Sequence, residues 1–327
     1  MKAVVITRAG GPEVLELLER PKPEPGLHQI RVRVRASALN RADLMQRQGN
    51  YPPPPGAPAD IPGLEYAGEV DALGPSASMW QIGQRVMGIV GGGAHAEFVC
   101  VHEREVLPMP GNASWEQGAA IPEVFLTAYD ALFRQLDARL GERVLVHAIG
   151  SGVGTAALQL ARLAGITVFG SSRSPSKLIR ARELGLHHGI DASQGDWAAT
   201  VEALAQPGGI HAIVDLVGGD YLAGNLRVLA QRGRLVLVGL TAGRTSMLDM
   251  RMVLSKRIHI VGTVLRARPI EEKIALAREF SDRVVPLFDS GQLHAVIERV
   301  APFSEIRSAH EQLEGGDTFG KLVLRWD

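Results

Sequence analysis

The stretch Arg143–Gly165, RVLVHAIGSGVGTAALQLARLAG, decides the fold. Its apolar run Val144–Val146 predicts a strand that is buried on both faces. A turn with Gly150, Gly152 and Gly154 follows, and a helix with an apolar face is expected to begin at once. Glycines let the backbone approach a pyrophosphate, and the helix N-terminus supplies N–H groups. This order of elements predicts the phosphate-binding start of a Rossmann domain.

The residues after the next strand indicate which dinucleotide is bound. The predicted strand Thr167–Gly170 comes about 20 residues after the glycine turn, where the residue that contacts the ribose is expected. An NADH site needs Asp or Glu there, but this chain has Ser171, Ser172, Arg173 and, further on, Lys177. Hydroxyls followed by cations fit a 2′-phosphate, so we infer NADPH. The alternative is that the two cations are only the solvated start of a helix.

Composition narrows the class of protein. A chain of 327 residues fits two domains better than one core. The 35 Lys and Arg balance the 35 Asp and Glu, so no overall charge favours nucleic acid or an acidic membrane. No apolar run approaches the roughly 18 residues of a membrane span. The N-terminal segment does not read as a signal peptide, and the single Cys100 permits no internal disulfide. We therefore expect a cytoplasmic protein.

The pattern along the chain predicts a two-domain α/β organisation. Many short strands in residues 1–123 favour a small β-barrel. Strands and helices then alternate, and six strands match a doubly wound parallel sheet. These strands are predicted at Val144–His147, Thr167–Gly170, His188–Ile190, Ala212–Asp215, Leu235–Val238 and Ile258–Val264. The remaining residues should rejoin the first domain, which gives domains of 1–123 with 267–327, and of 124–266. The active site is expected in the cleft between them.

Two long helices are predicted around the second domain. Pro122–Leu136 reads as a helix that leads into it, and a second helix is expected after Pro269, to about Phe288. A strand is then expected at Leu293–Val300, and a last one at Lys321–Arg325.

Four motifs resemble one protein family. They are SALNRADLMQRQGNY (Ser37–Tyr51), AAIPEVFLTAYDAL (Ala119–Leu132), SGVGTAALQLAR (Ser151–Arg162) and GKLVL (Gly320–Leu324). They resemble the zinc-free quinone oxidoreductases of the medium-chain dehydrogenase/reductase superfamily, with the p53-inducible quinone oxidoreductase group as the most similar branch. The resemblance implies a GroES-like β-barrel catalytic domain, a Rossmann domain, and NADPH-dependent reduction of quinones without flavin or metal.

The positions that bind zinc in other members of this superfamily carry different residues here. Zinc alcohol dehydrogenases use a cysteine in a G-x-C-x-x-D-type turn, a histidine in a G-H-E triplet, and a cysteine near the start of the bridging helix. The matching residues in this chain are Asn40, Leu64 and Glu123. An amide, an alkyl chain and one carboxylate do not make a catalytic zinc site. We expect no metal.

Three residues are predicted to act in catalysis. By resemblance, Asn40 hydrogen-bonds near the nicotinamide or the substrate, and Thr127 contacts the nicotinamide ribose. The alternatives are that Asn40 caps the following helix and that the Thr127 hydroxyl bonds its own helix. Tyr51 is predicted to stack on a quinone ring or to donate a proton, unless it is a tyrosine at the rim with no role. Glu65 is expected in a buried salt bridge, and Glu123 is kept as a further site candidate.

The cofactor contacts are expected from several loops and from the tail. The predicted contacts are Ser151, Gly152, Val153 and Gly154 with the pyrophosphate; Ser172, Arg173 and Lys177 with the 2′-phosphate; the backbone of Gly239, Leu240, Val264, Leu265 and Arg266 with the ribose and carboxamide; and Lys321 with the phosphates. One departure weakens the NADPH inference. Ala192 stands where the family often has a tyrosine near the adenine phosphate.

Three functions are compatible with these patterns. The first is an NADPH-dependent quinone reductase, and the second is an enoyl or alkenal reductase that saturates a C=C bond. The third is a non-enzymatic nucleotide-binding protein that senses redox state or binds RNA, although the balanced charge argues against RNA. The apolar segment Arg257–Leu265 is expected at the edge of the sheet, where it would pair with a second copy. We expect a homodimer, or a tetramer, with a small-molecule quinone substrate and no nucleic-acid or membrane partner.

Overall fold

The structure is a computed structural model that describes residues 1–326. Contacts within the chain divide it into two compact units. The first unit is Met1–Leu126 together with Leu265–Asp327, and the second is Thr127–Val264. The second unit is therefore inserted in the sequence of the first.

The bounds of the helices and strands follow, in chain order. Before the second unit the chain forms β1 (Lys2–Ile6), β2 (Leu15–Glu19), β3 (Gln29–Ala38), α1 (Arg41–Arg47), β4 (Glu65–Leu73), β5 (Arg85–Ile89), β6 (Phe98–His102), β7 (Leu107–Pro108), α2 (Trp115–Ala119) and α3 (Pro122–Tyr129). The second unit continues with β8 (Arg143–Val146), α4 (Gly152–Leu163), β9 (Thr167–Ser172), α5 (Pro175–Glu183), β10 (His188–Asp191), α6 (Trp197–Leu204), β11 (Ile210–Asp215), α7 (Tyr221–Val228), β12 (Leu229–Leu237), α8 (Met250–Lys256) and β13 (His259–Gly262). The chain then forms α9 (Ile270–Arg283), α10 (Val285–Asp289), β14 (Ile297–Pro302), α11 (Ile306–Gly315) and β15 (Lys321–Arg325). Short 3₁₀ turns lie at Pro12–Val14, Glu103–Glu105 and Phe303–Glu305.

The first unit is built around β3. This ten-residue strand pairs with β4, β6 and β15, and irregularities in its register with β4 fall at Arg31/Val32 and Val34/Ala36. Such irregularities bend a strand and increase its twist. The sheet runs β14-β15-β3-β4-β5-β7, so the last strand in the sequence, β15, lies between β14 and β3. Alternate residues of β3, such as Ile30 and Val32, are fully buried in the core of this unit.

The second unit is a six-stranded parallel sheet with the order β10-β9-β8-β11-β12-β13. This is the order of a doubly wound sheet, and it confirms the predicted fold. Strands are added outward from β8 in one direction, through β9 and β10, and then from β11 in the opposite direction, through β12 and β13. The order therefore reverses between β8 and β11. In sheets of this kind, ligands bind at the carboxyl ends of the strands at that reversal. The core on one side of the sheet consists of apolar residues such as Leu145, Ile213 and Leu235.

Two predicted helices differ in the structure. The helix expected over Pro122–Leu136 ends at Tyr129 and continues as a π-helix over Asp130–Gln135. Buried Asp130 accepts hydrogen bonds there from the Thr263 hydroxyl at 2.7 Å and from the Gln135 amide. The sequence pattern gives no sign of the contact with the distant Thr263, and it predicts an ordinary helix.

The helix expected after Pro269 is interrupted. α9 ends at Arg283 and α10 begins at Val285, with Pro286 in its first turn. Proline has no N–H group and its ring clashes with the preceding turn, which disfavours one continuous helix here. The next strand begins at Ile297 rather than at Leu293. Of the described helices, none combines the length and the apolar character that crossing a bilayer requires.

Candidate active site and cofactor site

The glycine-rich turn after β8 brings the start of α4 close to that strand. Ala148 has a φ of 50°, and the Ser151 hydroxyl accepts a hydrogen bond from the Gly154 N–H at 3.0 Å. A Cβ atom on Gly154 would stand 2.5 Å from the Ala148 carbonyl oxygen, so this packing requires glycine. Gly152 and Val153 supply the first N–H groups of the helix, which have no intrahelical partners. With the helix dipole, these groups form a site that suits a pyrophosphate.

The predicted 2′-phosphate residues lie at the end of β9 and in the first turn of α5. Ser172 is buried, and its hydroxyl accepts a hydrogen bond from the Ser174 N–H at 3.0 Å. The Arg173 side chain is exposed, and it forms no ion pair with any of residues 1–326. Lys177 is partly buried in α5. An exposed guanidinium without a carboxylate partner suits an anionic ligand.

An acidic residue lies on the neighbouring strand. Asp191, at the end of β10, is paired in register with Ser172. Its carboxylate accepts hydrogen bonds from the N–H group and the hydroxyl of Ser193, at 2.9 and 2.6 Å, which lower the pKa of Asp191. The acid therefore follows the third strand of the sheet, whereas an NAD-type site places it after the second.

The loops after β12 and β13 hold the other predicted cofactor residues. A Cβ atom on Gly239 would stand 2.8 Å from the Leu216 carbonyl oxygen, so the backbone passes close to the end of β11. Leu240 and Val264 are 48% and 49% exposed. Leu265 is buried and is the first residue after the second unit. These positions place exposed backbone after the last two strands of the sheet.

The sequence did not predict a buried polar network that includes Ser171, the residue before Ser172. His147, after β8, contacts the Ser171 hydroxyl through Nδ1 and the Asn225 amide oxygen through Nε2, both at 2.7 Å. The Asn225 amide nitrogen donates to Asp215 at 2.9 Å. Because the Asn225 oxygen only accepts, Nε2 carries the proton and Nδ1 accepts from Ser171. Burial lowers the pKa of His147, so the ring stays neutral. It orients the hydroxyl of Ser171, the residue that precedes Ser172.

The polar cluster of the first unit begins at Asn40, the residue that precedes α1. Its amide nitrogen donates to Glu65 at 2.9 Å, and its amide oxygen accepts from the Lys321 ammonium at 2.6 Å. The same ammonium forms an ion pair with Glu65 at 2.7 Å, so the predicted buried salt bridge of Glu65 is present. The second Glu65 oxygen accepts the Glu123 N–H at 2.9 Å.

The predicted contact between Lys321 and the cofactor phosphates must be corrected. Lys321 is 4% exposed. Its ammonium group has three oxygen partners, in the Leu39 carbonyl, the Asn40 amide and the Glu65 carboxylate. An ammonium has three N–H donors, so none remains for a phosphate. Lys321 instead neutralises Glu65 within the cluster.

Arg266 joins Tyr51 to two other segments of the first unit. Its guanidinium donates to the Gly91 carbonyl at 2.8 Å, to the Gln46 amide oxygen at 2.6 Å and to the Tyr51 carbonyl at 3.3 Å. It also lies over the Tyr51 ring, 4.7 Å from its centre. Burial raises the pKa of the Tyr51 phenol, so the hydroxyl remains protonated at neutral pH. The side chain of Arg266 is thus structural, whereas the sequence suggested only a backbone contact with the cofactor.

Glu123 lies on the same cluster, in the first turn of α3. Its side chain is partly buried. Burial and the negative charge of Glu65 raise the pKa of Glu123 to about 8. The carboxyl group is therefore protonated at neutral pH and is a hydrogen-bond donor.

The structure brings Asn40 and Tyr51 into the first unit with Arg266 and Lys321. Thr127 is buried in α3 and is the first residue of the second unit. The remaining predicted cofactor residues before Leu265 lie in the second unit. Within the described residues, no group of three or more His, Cys, Asp or Glu side chains is placed to hold a metal ion.

Comparison with protein families gives two matches. Residues 26–111 match the family described as alcohol dehydrogenase GroES-like domain. Residues 152–282 match the family described as zinc-binding dehydrogenase. The first match lies in the unit built around β3, and most of the second lies in the unit with the parallel sheet.

Relatives match along nearly the whole chain. The synaptic vesicle membrane protein VAT-1 homolog of Mus musculus is 32% identical, over 99% of this chain and 83% of its own. A quinone oxidoreductase of Pseudomonas aeruginosa is also 32% identical, over 99% of both chains.

Solved structures show the same two-unit fold. An NAD-dependent alcohol dehydrogenase is 32% identical over 100% of both chains, with a TM-score of 0.87. The JamJ enoyl reductase is 25% identical over 99% of both chains, with a TM-score of 0.88.

Proposed function

The chain belongs to the quinone oxidoreductase family of the medium-chain dehydrogenase/reductase superfamily, and from this premise we propose that it reduces quinones with NADPH. The family binds a nicotinamide cofactor. When bound, this cofactor supplies a hydride from its reduced ring. The residues of the chain would position the acceptor, exclude water and supply hydrogen bonds.

The observation that carries the proposal is the set of hydrogen bonds made by the Asn40 amide. Asn40 occupies a position where zinc-dependent relatives have a ligand, and its amide is held on both sides by Glu65 and Lys321. An amide that is engaged in this way cannot coordinate a metal or accept a proton from a substrate. A quinone needs no metal, because it is already a good hydride acceptor; it requires correct positioning and one proton.

NADPH is favoured by the surroundings of Arg173. Its exposed guanidinium and the neighbouring Ser172 are of the chemical type that binds a phosphate monoester. Lys177 adds a second cation. We propose that these residues hold the 2′-phosphate, while Ser151 and the first N–H groups of α4 hold the pyrophosphate.

The remaining predicted contacts are kept as part of the proposal. Thr127 would contact the nicotinamide ribose. The backbone of Gly239, Leu240 and Val264 would contact the ribose and the carboxamide. The Asn40 amide is already hydrogen-bonded to Glu65 and Lys321. Asn40 would therefore act on the substrate indirectly, through its position in the cluster.

The experiment that tests the function is steady-state oxidation of NADPH and NADH, side by side, with an ortho-quinone and a crotonyl-type enal as acceptors. We expect rapid NADPH oxidation with the quinone and slow oxidation with the enal. Turnover of the enal alone would replace quinone reduction by C=C reduction. Equal use of NADH would contradict the proposed role of Ser172, Arg173 and Lys177.

A second candidate is reduction of a C=C bond conjugated to a carbonyl, and the hydroxyl of Tyr51 favours it. An enolate formed by hydride addition must be protonated, and a phenol that stays un-ionised can donate that proton. A structure with this fold and 25% identity is named as an enoyl reductase.

Replacement of Tyr51 by Phe distinguishes the two candidates. Phe keeps the ring under Arg266 and removes only the hydroxyl. We expect kcat with the quinone to stay within a factor of about 3, and kcat with the enal to fall by about 10²-fold, the typical contribution of a general acid. Equal losses with both acceptors would remove this distinction. The control is Tyr221→Phe, which removes a hydroxyl from the second unit.

We also propose that the protein forms a homodimer through β13. This strand is at the edge of the parallel sheet, paired with β12. Exposed apolar side chains are concentrated in the same part of the sequence. They are Leu240, Met247, Leu248, Met250, Leu254 and Val264. An apolar edge of this kind is suited to pairing with a second copy.

A further inference from the structure

Glu123 differs from the other carboxyl groups of its cluster. Asp43 accepts the N–H groups of Asn40 and Gly63, at 2.7 and 3.0 Å. Glu65 is bound to Lys321, to Asn40 and to the Glu123 N–H. The carboxyl group of Glu123 has no hydrogen-bond partner among residues 1–326. It is the member of the cluster that is available to a ligand.

The charges around Glu123 come from several elements. Glu65 on β4 and Asp43 on α1 disfavour its ionisation, while Lys321 on β15 and Arg266 favour it. The Tyr51 phenol lies close enough for its own pKa to respond to Glu123. Burial and Glu65 outweigh the two cations, and the pKa of Glu123 rises to about 8. Both cations are already engaged, Lys321 with Glu65 and Arg266 with three carbonyl-type oxygens.

Two protonated groups therefore lie within electrostatic range of Arg266 and of each other. They are the Glu123 carboxylic acid and the Tyr51 phenol. A hydride acceptor with a carbonyl group gains negative charge on its oxygen during reduction. That oxygen needs a hydrogen-bond donor and then a proton, and an acid with a pKa near the working pH is the most effective source.

We propose that the Glu123 carboxyl group donates the proton to the substrate oxygen that becomes negatively charged during hydride transfer. This role rests on the proposed function. The acceptor takes a hydride, with two electrons, from the reduced nicotinamide, which is oxidised. The O–H bond of Glu123 breaks and an O–H bond forms on the substrate, so that hydride and proton together convert a quinone into a hydroquinone. The Glu123 carboxylate then recovers a proton from water.

Which of Glu123 and Tyr51 donates the proton depends on the substrate. With a quinone, the proton goes to an oxygen, and Glu123 suffices. With an enal, the single proton that balances the hydride goes to carbon, and that step would depend on Tyr51. Glu123 would then only donate a hydrogen bond to the enolate oxygen and keep its own proton.

The test is the pH profile of Glu123→Gln with the ortho-quinone and NADPH. Gln has nearly the same shape but has no proton to give. We expect kcat/KM of the natural protein to fall above about pH 8, as Glu123 ionises. We expect the variant to be slower by about 10²-fold at pH 7 and to lack this decline. The control is Glu272→Gln, which changes an exposed glutamate on α9 and should keep the natural profile.

A second measurement does not depend on turnover. When folding raises the pKa of a carboxyl group, the free energy of unfolding decreases as pH rises from the pKa in the unfolded state to the pKa in the folded state. The natural protein should therefore fall in unfolding temperature, relative to Glu123→Gln, between about pH 5 and pH 8. Above pH 8 the difference should stay constant. A difference that does not change with pH would overturn the assignment of a protonated Glu123.

The outcomes separate this role from the proposed function. If the natural protein oxidises NADPH with the quinone, and Glu123→Gln keeps both its rate and its decline above pH 8, the role of Glu123 is wrong and the function stands. If the natural protein turns over neither acceptor, the function is wrong and the proton-donor role fails with it. If the natural protein reduces the quinone with NADPH, and Glu123→Gln is slower and lacks the decline above pH 8, the result supports both the proposed function and the role of Glu123.

Discussion

At Arg266, one guanidinium holds three segments of the first unit. Its partners come from the end of α1, from the loop after β5 and from the start of the proline tract. The guanidinium is planar and has five donors, so it can bond several carbonyl oxygens and stack on Tyr51 at once. An ammonium group could make some of these bonds but would not stack in the same way. The position of Tyr51 depends on this choice of residue.

We therefore expect Arg266→Lys to destabilise the first unit and displace Tyr51. Loss of a hydrogen bond to a charged donor, with its acceptor left buried, is worth roughly 1.5–3 kcal/mol. Urea unfolding should show a decrease of that size in the free energy of unfolding. Arg278→Lys, at an exposed position on α9, is the control and should change it by less than about 0.5 kcal/mol. Unchanged stability of Arg266→Lys would contradict the role of the three contacts.

Arg173 should decide between the two dinucleotides. Arg173→Ala removes a charge-assisted hydrogen bond of roughly 1.5–3 kcal/mol to a phosphate, which corresponds to an increase of about 10- to 100-fold in the KM for NADPH. The KM for NADH should not change, since NADH has no 2′-phosphate. Steady-state kinetics with both cofactors measures this. Arg182→Ala, an exposed arginine on α5, should leave both values unchanged, and an equal rise for both cofactors in Arg173→Ala would refute the assignment.

At the scale of the elements, the sequence predicts those strands that are determined by their own apolar residues. The strands of the parallel sheet are short apolar runs, and all six are found close to their expected positions. The helix break before Pro286 is also local, since proline has no N–H group for a helix interior. The pattern of apolar residues did not predict the π-helix at Asp130–Gln135, whose buried Asp130 accepts a hydrogen bond from Thr263, more than a hundred residues away.

The same limit applies to the polar cluster. Asn40, Tyr51 and Glu65 stand out in their motifs, and the structure places them in one unit. A lysine near the end of the sequence looks like any surface or phosphate-binding cation. Only the pairing of β15 with β3 brings Lys321 to Asn40, and pairing between distant strands is not visible in one sequence. Likewise, His147 looked like the end of a strand, whereas Asn225 and Asp215 show that it belongs to a network.

At the scale of the whole molecule, the edge strand β13 carries the prediction of the dimer. Val261 is partly buried in this strand. In a symmetric pair, Val261→Lys would place a charge on the shared edge from each copy. We expect light scattering at micromolar concentration to give twice the mass of one chain for the natural protein, and the mass of one chain for the variant.

The control for this prediction is Leu140→Lys, which adds the same charge at an exposed apolar residue before β8. It should remain dimeric. A dimeric Val261→Lys with an unchanged circular dichroism spectrum would show that β13 is not the interface. A natural protein with the mass of one chain would overturn the dimer itself.

The insertion of the second unit into the sequence of the first has a consequence for synthesis on the ribosome. The parallel sheet is complete once residue 262 has left the exit tunnel, and this unit can fold while translation continues. The first unit must wait, because β14 and β15 lie beyond Leu265, and β15 pairs with β3. Until Lys321 is made, Glu65 has no counter-ion. The nascent chain therefore holds all strands of the second unit before the last strands of the first unit exist.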